Sequence, residues 1–276
     1  MKLSLSTRVV EAPGQKEKAV MGLGELATLA KDAGYAALCM RASQVGIQHS
    51  KDEIAATGKT VSAEGLAVSM VTGDMDTPIN NNRAQMALQN ITPFLDLAAS
   101  LGSDLIRIGM KADTDVPWAK RAADEAAERG IRLAHQSHTC TLFETVEKSV
   151  DWLKEIDREN FGIIFEPGNL LVCSQDYGAA ALNAFKPWLM NVYLQNMYPW
   201  EKGKQTIETW INGPVIFDLV PFGDPNGIDF APIMDILSDL DYTEYVTVHH
   251  NVADGMEIGE GVHSFANYLR SVGKFN

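Results

Sequence analysis

The sequence has few cysteines, no long apolar run and fewer basic than acidic residues. Its three cysteines, Cys39, Cys140 and Cys173, are an odd, widely spaced set without a CxxC pair. They therefore indicate neither a disulfide framework nor a thiolate zinc site. No stretch approaches the roughly 18 consecutive apolar residues of a membrane span. We expect a cytoplasmic protein of a reducing compartment that does not insert into a membrane.

The shortage of positive charge limits the expected partners. The chain carries 23 Lys and Arg against 36 Asp and Glu, a formal net charge of −13. Nucleic acids and anionic membranes are bound through clustered Lys and Arg, so we expect neither as a main partner. The sequence also lacks a GxGxxG after a strand, a GxxxxGK[ST] loop and a GxSxG elbow. These absences give no support to the nucleotide-binding and hydrolase classes that those motifs mark.

The sequence does contain a regular alternation of short apolar runs and segments of helical period, which predicts strands and helices in turn. The eight predicted strands are Leu3–Val10, Ala36–Arg41, Leu66–Thr72, Leu105–Lys111, Ile131–His138, Phe161–Glu166, Leu189–Asn196 and Tyr245–His250. The predicted helices are Gly24–Ala33, Asn81–Leu101, Trp118–Arg129, Leu142–Ile156, Tyr177–Phe185, Phe230–Leu240 and Gly259–Val272. Glycines at 34, 65, 102 and 130 precede strands and predict left-handed helix ends. Eight units of roughly 34 residues predict a (β/α)8 TIM barrel with residues 1–276 as one domain.

One connection is too long for a plain loop between a strand and a helix. Tyr198–Gly227 is rich in Trp and Pro, and loops beyond about 12–15 residues are usually functional or disordered. Trp200, just past the seventh predicted strand, is a candidate to wall a sugar ring. The alternatives are the core of the loop or an oligomer contact.

Polar residues gather at the predicted strand ends, where a TIM barrel builds its active site. Glu166 ends the apolar run FGIIF and precedes a Pro-Gly turn. A buried carboxylate carries a desolvation penalty unless a cation, a metal or a hydrogen-bond donor offsets it. We therefore predict Glu166 as a metal ligand or an acid/base group. The alternative is a glutamate that caps a neighbouring loop.

Histidines close the fifth and eighth predicted strands. Strand residues alternate faces, so Gln136 and His138 share one side while His135 faces the other. His138 is the candidate acid/base group, because imidazole transfers protons near neutral pH. The adjacent His249 and His250 cannot both point into the barrel. The apolar neighbours of His250 place it against the helices, so His249 is the candidate metal ligand.

Amides and cations complete the candidate site. Gln195 fits either a hard cation or sugar hydroxyls. Arg41 and Lys111, after the second and fourth predicted strands, are candidates to hold a carboxylate or phosphate, with a solvated rim as the alternative. Asn169 and Asn196 are further candidates for substrate binding at strand ends.

Five segments along the chain carry a family resemblance. They are LAKDAGYAALCM, LDLAASLGSDLIRIG, IRLAHQSH, GIIFEPGNLLV and GIDFAPIMDILSDLDYTEYVTV. Their order and spacing resemble the xylose-isomerase-like superfamily of sugar isomerases and epimerases, which is sometimes grouped with apurinic endonuclease-like barrels. The resemblance covers nearly the whole chain. It implies a (β/α)8 barrel, a small-molecule sugar or sugar-acid substrate, and a homo-oligomer, either a dimer or a tetramer.

The resemblance also implies one divalent metal held by Glu, Asp, His and Glu of strands five to eight. By position these slots are Gln136, Glu166, Tyr193 (or Gln195) and His249, so only one keeps a carboxylate. Imidazole suits Mn, Fe, Co or Zn better than Mg. We accordingly expect Mn, Co, Zn or Mg bound by Glu166 and His249, with Gln136 or Gln195 completing the shell.

These departures bear on the expected reaction. Epimerases of the family remove a proton beside a carbonyl with one Glu and return it with another, which Gln136 and His249 cannot do. The leading hypothesis is an isomerase/epimerase-like enzyme acting on a small ketose, polyol or sugar-acid carbonyl compound. The alternatives are a lyase, decarboxylase or hydrolase on an oxidised sugar, and a non-catalytic sugar-binding or partner barrel.

Overall fold

The apolar runs of the sequence form strands, and the amphipathic segments form helices that cover them. The computed structural model describes residues 1–12, 15–72, 84–252 and 255–276. Its strands are β1 (Lys2–Ser6), β2 (Glu11–Ala12), β3 (Gln15–Ala19), β4 (Ala37–Met40), β5 (Ala67–Val71), β6 (Leu105–Ile108), β7 (Arg132–Gln136), β8 (Phe161–Phe165), β9 (Leu189–Leu194), β10 (Met197–Pro199), β11 (Gln205–Thr209), β12 (Gly213–Leu219) and β13 (Tyr245–Val248). Its helices are α1 (Leu23–Asp32), α2 (Lys51–Ala63), α3 (Ala84–Gln89), α4 (Thr92–Leu101), α5 (Val116–Ala127), α6 (Val146–Ile156), α7 (Pro167–Val172), α8 (Ala179–Phe185), α9 (Ala231–Asp239) and α10 (Ile258–Val272).

Eight parallel strands close into a barrel in the order β1-β13-β9-β8-β7-β6-β5-β4. β1 closes it by pairing in parallel with both β4 and β13. The predicted (β/α)8 barrel and its eight strands are confirmed. The first strand ends earlier than predicted, because the chain turns at Ser6, whose Oγ accepts a hydrogen bond from the amide of Arg8 at 3.3 Å. Residues Thr7–Val10 form a short 3₁₀ turn there.

The predicted helices are present with small shifts at their ends. The segment predicted as Asn81–Leu101 holds two helices, α3 and α4. Pro93 lies in the first turn of α4, where a missing N–H costs nothing. Residues 81–83 of the predicted segment lie outside the described part of the chain. The prediction omitted α2 and α7. The capping box of Ser50 and Glu53 marks the start of α2 in the sequence. Gly34, Gly65, Gly102 and Gly130 have positive φ angles, as predicted.

Two layers of side chains fill the barrel. An apolar layer is formed by Cys39, Met70, Leu105, Ala134, Ile164 and Tyr193, all buried. Since strand residues alternate faces, the position two residues further on also points inward. Those positions form a polar layer at the carboxyl ends of the strands, and all of its members line one cavity: Arg41, Thr72, Arg107, Gln136, Glu166 and Gln195.

The long segment after β9 is an ordered sheet. β10, β12 and β11 pair antiparallel, and Phe217 of β12 packs with Val172, Cys173 and Met197 in a small separate core. Of the two outcomes expected for Tyr198–Gly227, a functional segment or a disordered one, disorder is wrong. Phe217, Asp218 and Leu219 reach the cavity lining. This sheet therefore forms one wall above the polar layer.

No helix in the described ranges combines the length and apolar character needed to cross a membrane.

Candidate functional site

A cavity of about 1140 Å³ opens at the carboxyl ends of the barrel strands. The polar layer forms its floor. The hairpin β2–β3 and the sheet β10–β12 contribute its walls, through residues such as Lys16 and Leu219. This placement agrees with the position of active sites in TIM barrels. Among the predicted site residues, the cavity is lined by Arg41, Gln136, His138, Glu166, Asn169 and Gln195.

Glu166 belongs to this floor and is fully buried. Its backbone amide donates to Ser137 Oγ at 2.8 Å. The side-chain amide of Gln195, oriented to satisfy both of its neighbours, donates to Glu166 Oε1 at 3.0 Å and accepts from Arg8 Nη2 at 3.0 Å. Glu166 Oε2 has no hydrogen-bond partner among the described residues. One carboxylate oxygen is thus held in place, and the other is left for a ligand.

Burial raises the pKa of Glu166 to about 7, while Arg107, Arg8 and Arg41 oppose that shift. Both protonation states of the carboxyl group are therefore populated near neutral pH. A group that takes a proton from a substrate and returns it works best when its pKa is near the operating pH.

This pKa predicts how the stability of the protein depends on pH. A carboxyl group whose pKa is higher in the folded chain contributes stability that is complete below its unfolded pKa and is lost as the pH rises through 7. We expect Glu166→Gln to remove this loss, so that the variant gains on the order of 3 kcal/mol over the wild type at about pH 9 and nothing at about pH 4. Urea unfolding at both pH values measures the difference.

Glu128→Gln is the matched control, because Glu128 is exposed and lies at the opposite end of the barrel, before β7. An equal change in the free energy of unfolding for Glu166→Gln at both pH values would contradict the raised pKa.

His138 also lines the cavity, and its tautomer is fixed. Nδ1 lies 2.9 Å from the carbonyl oxygen of Thr139. A carbonyl only accepts, so Nδ1 carries the proton and Nε2 holds a lone pair. Burial, followed by the charge of Arg107, lowers the pKa of His138 to about 3, so the ring is neutral at physiological pH. Nε2 can thus accept a hydrogen bond from a hydroxyl group.

Three arginines surround the carboxylate. Arg107 is 6% exposed, its guanidinium lies 5.7 Å from the centre of the Tyr193 ring, and its Nε has no hydrogen-bond partner in the described chain. Arg8 Nε donates to Asn251 Oδ1 at 3.0 Å. Arg41 donates from Nε and Nη2 to the two carboxylate oxygens of Glu11, the second at 3.2 Å. The floor therefore holds three guanidinium groups.

Arg8 and Arg107 are the site residues that the sequence analysis missed. Arg107 lies within the strand LIRI rather than at its end, and a charge inside an apolar run was the available signal. Arg8 was counted as part of the first strand, although the chain leaves the sheet at Ser6.

His249, predicted as a metal ligand, packs in the barrel interior and is not among the cavity-lining residues of the described chain. Its ring stacks on Tyr193 with 4.3 Å between centroids, and Nδ1 lies 3.1 Å from Ser6 Oγ. Burial, followed by the charge of Arg8, lowers its pKa well below the usual range. The structure does not bring His249 and Glu166 together as a ligand pair facing the cavity.

These residues do not fit the divalent metal that the family resemblance implies. Glu166 is the one carboxylate among the expected ligands, and guanidinium groups repel a second cation beside it. The oxygen of Gln195 already accepts from Arg8. Within the described ranges, no group of three or more His, Cys, Asp or Glu side chains is placed to hold a metal ion. The expected Mn, Co, Zn or Mg site is thus a prediction that the side chains of this cavity do not support.

The remaining predicted residues divide between the cavity and its surroundings. Asn169 lines the cavity, and its Nδ2 donates to the carbonyl of Ser137 at 2.9 Å. Lys111 and Trp200 are not among the lining residues in the part of the chain described. The backbone amide of Lys111 donates to Asp115, and Trp200 Nε1 donates to Asp218 Oδ2 at 2.6 Å. Lys111 and Trp200 stay predictions without a contact to the cavity.

Two histidines that were not selected as ligands pack as the sequence suggested. His250 contacts Phe222 and Phe265, the latter on α10, with ring centroids 5.2 and 5.4 Å away. It therefore packs against α10 as expected, but it also borders the cavity, which the prediction missed. His135 stacks on Phe143 at 4.1 Å and is fully buried.

Asn196, predicted to bind substrate, holds the chain after β9 instead of facing the cavity. Its Nδ2 donates to the carbonyl of Pro221 at 2.7 Å, and its Oδ1 accepts from the amide of Ile228 at 2.6 Å. The side chain is fully buried, so both groups lack water as a substitute partner. It thereby ties both ends of the sheet β10–β12 to the barrel.

We expect Asn196→Ala to lower the free energy of unfolding by about 1–3 kcal/mol, because it leaves the buried amide of Ile228 unpaired and removes the hydrogen bond to the carbonyl of Pro221. Urea denaturation without any ligand measures this loss. Asn183→Ala is the control. Asn183 is exposed, and its Nδ2 donates to the carbonyl of Ala179 within α8. Unchanged stability of Asn196→Ala would contradict the tie.

The fold and the site define a class: a (β/α)8 barrel with polar and titratable side chains at the carboxyl ends of its strands. A profile of the xylose isomerase-like TIM barrel family matches residues 27–270. The chain belongs to that family. The sequence matches none of the curated proteins.

Solved structures share the fold at low sequence identity. A "probable 3-DHS dehydratase AsbF" from Bacillus anthracis is 14% identical, with a TM-score of 0.74 and 98% of this chain and 99% of that chain covered. A D-psicose 3-epimerase, determined in the presence of D-fructose, is 15% identical with a TM-score of 0.71, and 98% of each chain is covered. A Mycobacterium smegmatis barrel in complex with magnesium is 15% identical with a TM-score of 0.70, and 98% and 97% are covered. These likenesses show the fold alone.

Proposed function

We propose that this chain is an isomerase/epimerase-like enzyme that moves a proton next to the carbonyl group of a small ketose or sugar acid. The observation that carries the proposal is the free Oε2 of Glu166, buried in the cavity floor on a carboxyl group whose pKa is about 7. His138 lines the same cavity as a neutral ring. The family and the epimerase among the similar folds support this class of reaction.

The chemistry follows from these two side chains. Glu166 Oε2 takes the proton from the carbon beside the carbonyl, which leaves an enolate and a neutral carboxyl group. Nε2 of His138 accepts the proton of the neighbouring hydroxyl and passes it to the former carbonyl oxygen. Glu166 then returns its proton to the adjacent carbon. The product is an isomer of the substrate, and both side chains regain their starting states.

A single base favours isomerisation over epimerisation. Inversion at carbon needs an acid on the opposite face. Of the other cavity carboxylates, Glu11 is engaged by Arg41, Asp218 is engaged by Trp200 and the amide of Lys204, and Glu17 lies exposed on the hairpin β2–β3 rather than on the floor. Of the two reactions in the proposal, proton transfer on one face therefore fits this chain better.

A lyase that eliminates water is the second candidate. Its first step is the same removal of a proton by Glu166, after which the carboxyl proton leaves with the departing hydroxyl group as water. The three arginines of the floor favour this reading, because a carboxylated substrate would bind to them. The similar fold of a dehydratase is consistent with it.

NMR in D₂O with a panel of ketoses and keto sugar acids tests the proposal. Deuterium at the carbon beside the carbonyl with an intact carbon skeleton is expected for an isomerase. Loss of water or of a fragment indicates the lyase. A compound that stabilises the protein against heat but undergoes neither exchange nor turnover would overturn both readings and indicate a non-catalytic sugar-binding barrel.

Three further expectations belong to this proposal. Residues 1–276 act as one domain, since the barrel is closed by β1 and β13 from opposite ends of the chain. The cytoplasm is the proposed location, supported by three free cysteines. The enzyme is proposed to form a dimer or tetramer, which light scattering would measure.

A further inference from the structure

We infer that Arg8 and Arg107 bind a compact oxyanion group of the substrate, a carboxylate or a phosphate, in the place where relatives of this fold would use a metal. This inference rests on the proposed function only in taking the cavity as the substrate site. It adds the substrate class and the groups that recognise it.

The charge balance of the cavity floor is the first argument. Three guanidinium groups face two carboxylates, and Glu11 is already paired with Arg41. Arg8 and Arg107 share the single charge of Glu166, which leaves an excess of one positive charge, or of two when Glu166 is protonated. The other charged lining residues carry two charges of each sign: Lys16, Glu17, Lys204 and Asp218. A chain with a net charge of −13 thus concentrates positive charge at its cavity floor.

The burial of Arg107 is the second argument. The side chain is 6% exposed, and its Nε has no hydrogen-bond partner in the described ranges. Burying a cation with an unsatisfied donor is costly, and a bound anion removes much of that cost. The planar guanidinium donates two parallel hydrogen bonds to a carboxylate or phosphate, which makes arginine well suited to such groups.

The position of the arginines is the third argument. Arg107 belongs to the same polar layer as Glu166, and Arg8 is linked to Glu166 through Gln195 by two hydrogen bonds of 3.0 Å. An oxyanion held by these arginines places the rest of a small substrate beside Glu166 Oε2. The same positive charge stabilises the enolate that forms when Glu166 takes the proton. The two arginines therefore supply the electrostatic role that a metal has in the relatives.

Calorimetric binding of three compounds tests the inference without any need for turnover. D-gluconate and inorganic phosphate are the anionic compounds, which distinguish the two sources of oxyanion, and D-fructose is the neutral one. We expect one or both anions to bind the wild type, and Arg107→Gln to raise their Kd at least about tenfold. EDTA should leave these affinities unchanged, because arginine supplies the charge.

Arg121→Gln is the matched control, since Arg121 is exposed on α5 and stacks over Trp118 away from the cavity. Arg107→Lys keeps the charge without the planar fork, and an intermediate Kd is expected if the inference is right. If Arg107→Gln does not fold, Arg8→Gln and Arg107→Lys provide the comparison.

The inference is overturned if neither anion binds better than D-fructose, if the Arg107 and Arg8 variants keep the wild-type Kd, or if anion binding requires added Mn²⁺. Its failure is distinct from that of the proposed function. Loss of anion binding in Arg107→Gln supports the inference even when no proton exchange is found. Exchange on neutral ketoses, with a wild-type Kd for the anions in Arg107→Gln and Arg8→Gln, supports the proposed function alone.

Discussion

Glu166→Gln should lower turnover by about 10³-fold while leaving substrate affinity nearly unchanged. Glutamine has the shape of glutamate, and its oxygen can still accept the hydrogen bond from Gln195. It cannot take a proton from carbon, however, and Glu166 is the one carboxylate of the polar layer on the floor. The loss should therefore fall on kcat and on deuterium exchange at carbon, with little change in KM. Steady-state kinetics and NMR in D₂O measure the two quantities.

The pH dependence of kcat gives a second readout of the same residue. The basic form of Glu166 increases as the pH rises, so the wild-type rate should rise through about pH 7, where the pKa of this buried carboxyl lies. The residual rate of Glu166→Gln should lack that rise. The control Glu128→Gln should retain both the rate and the profile. A variant at Glu166 with more than a tenth of wild-type kcat would rule out its role as the base.

His138→Gln should separate the two proton transfers. We expect isomerisation to fall by about 10²-fold, because no group then accepts the hydroxyl proton. Deuterium exchange at carbon should fall much less, since Glu166 is unchanged. Comparing the exchange rate with the rate of product formation in one NMR experiment measures the ratio, and equal losses in both would contradict the division of roles.

The environment of His138 predicts its pH behaviour as well. Burial and Arg107 lower its pKa to about 3, so the imidazole stays neutral across the physiological range and should contribute no change of rate near pH 7. His263→Gln is the matched control, because His263 lies exposed on α10. An inflection near pH 7 that disappears in His138→Gln but persists in Glu166→Gln would reverse the two assignments.

The sequence predicted the barrel well because its evidence is local. Continuous apolar runs mark strands that are covered on both faces, and alternation predicts which side chains point inward. This reasoning identified Arg41, Gln136, Glu166 and Gln195, all of which lie in the polar layer.

Alternation gives the face of a strand, but not the height of a side chain in the barrel. That height depends on the tilt and stagger of all eight strands, which no single segment encodes. His249 shows the difference, since it faces inward but stacks on Tyr193 without lining the cavity. Asn196 shows another limit, because Pro221 and Ile228, which bind its amide, lie 25 and 32 residues away along the chain. Partners so distant along the chain are set by the fold of the whole segment between β9 and α9.

The tie formed by Asn196 has a consequence for how this protein can change. One amide fixes the chain at Pro221 and Ile228, and the sheet β10–β12 between β9 and this tie shares a small core with Val172 and Cys173 at the end of α7. The segment can therefore change in length and sequence where it keeps this tie and this core, with the barrel strands left in place. The shape of the cavity wall can then vary independently of the polar layer on the floor.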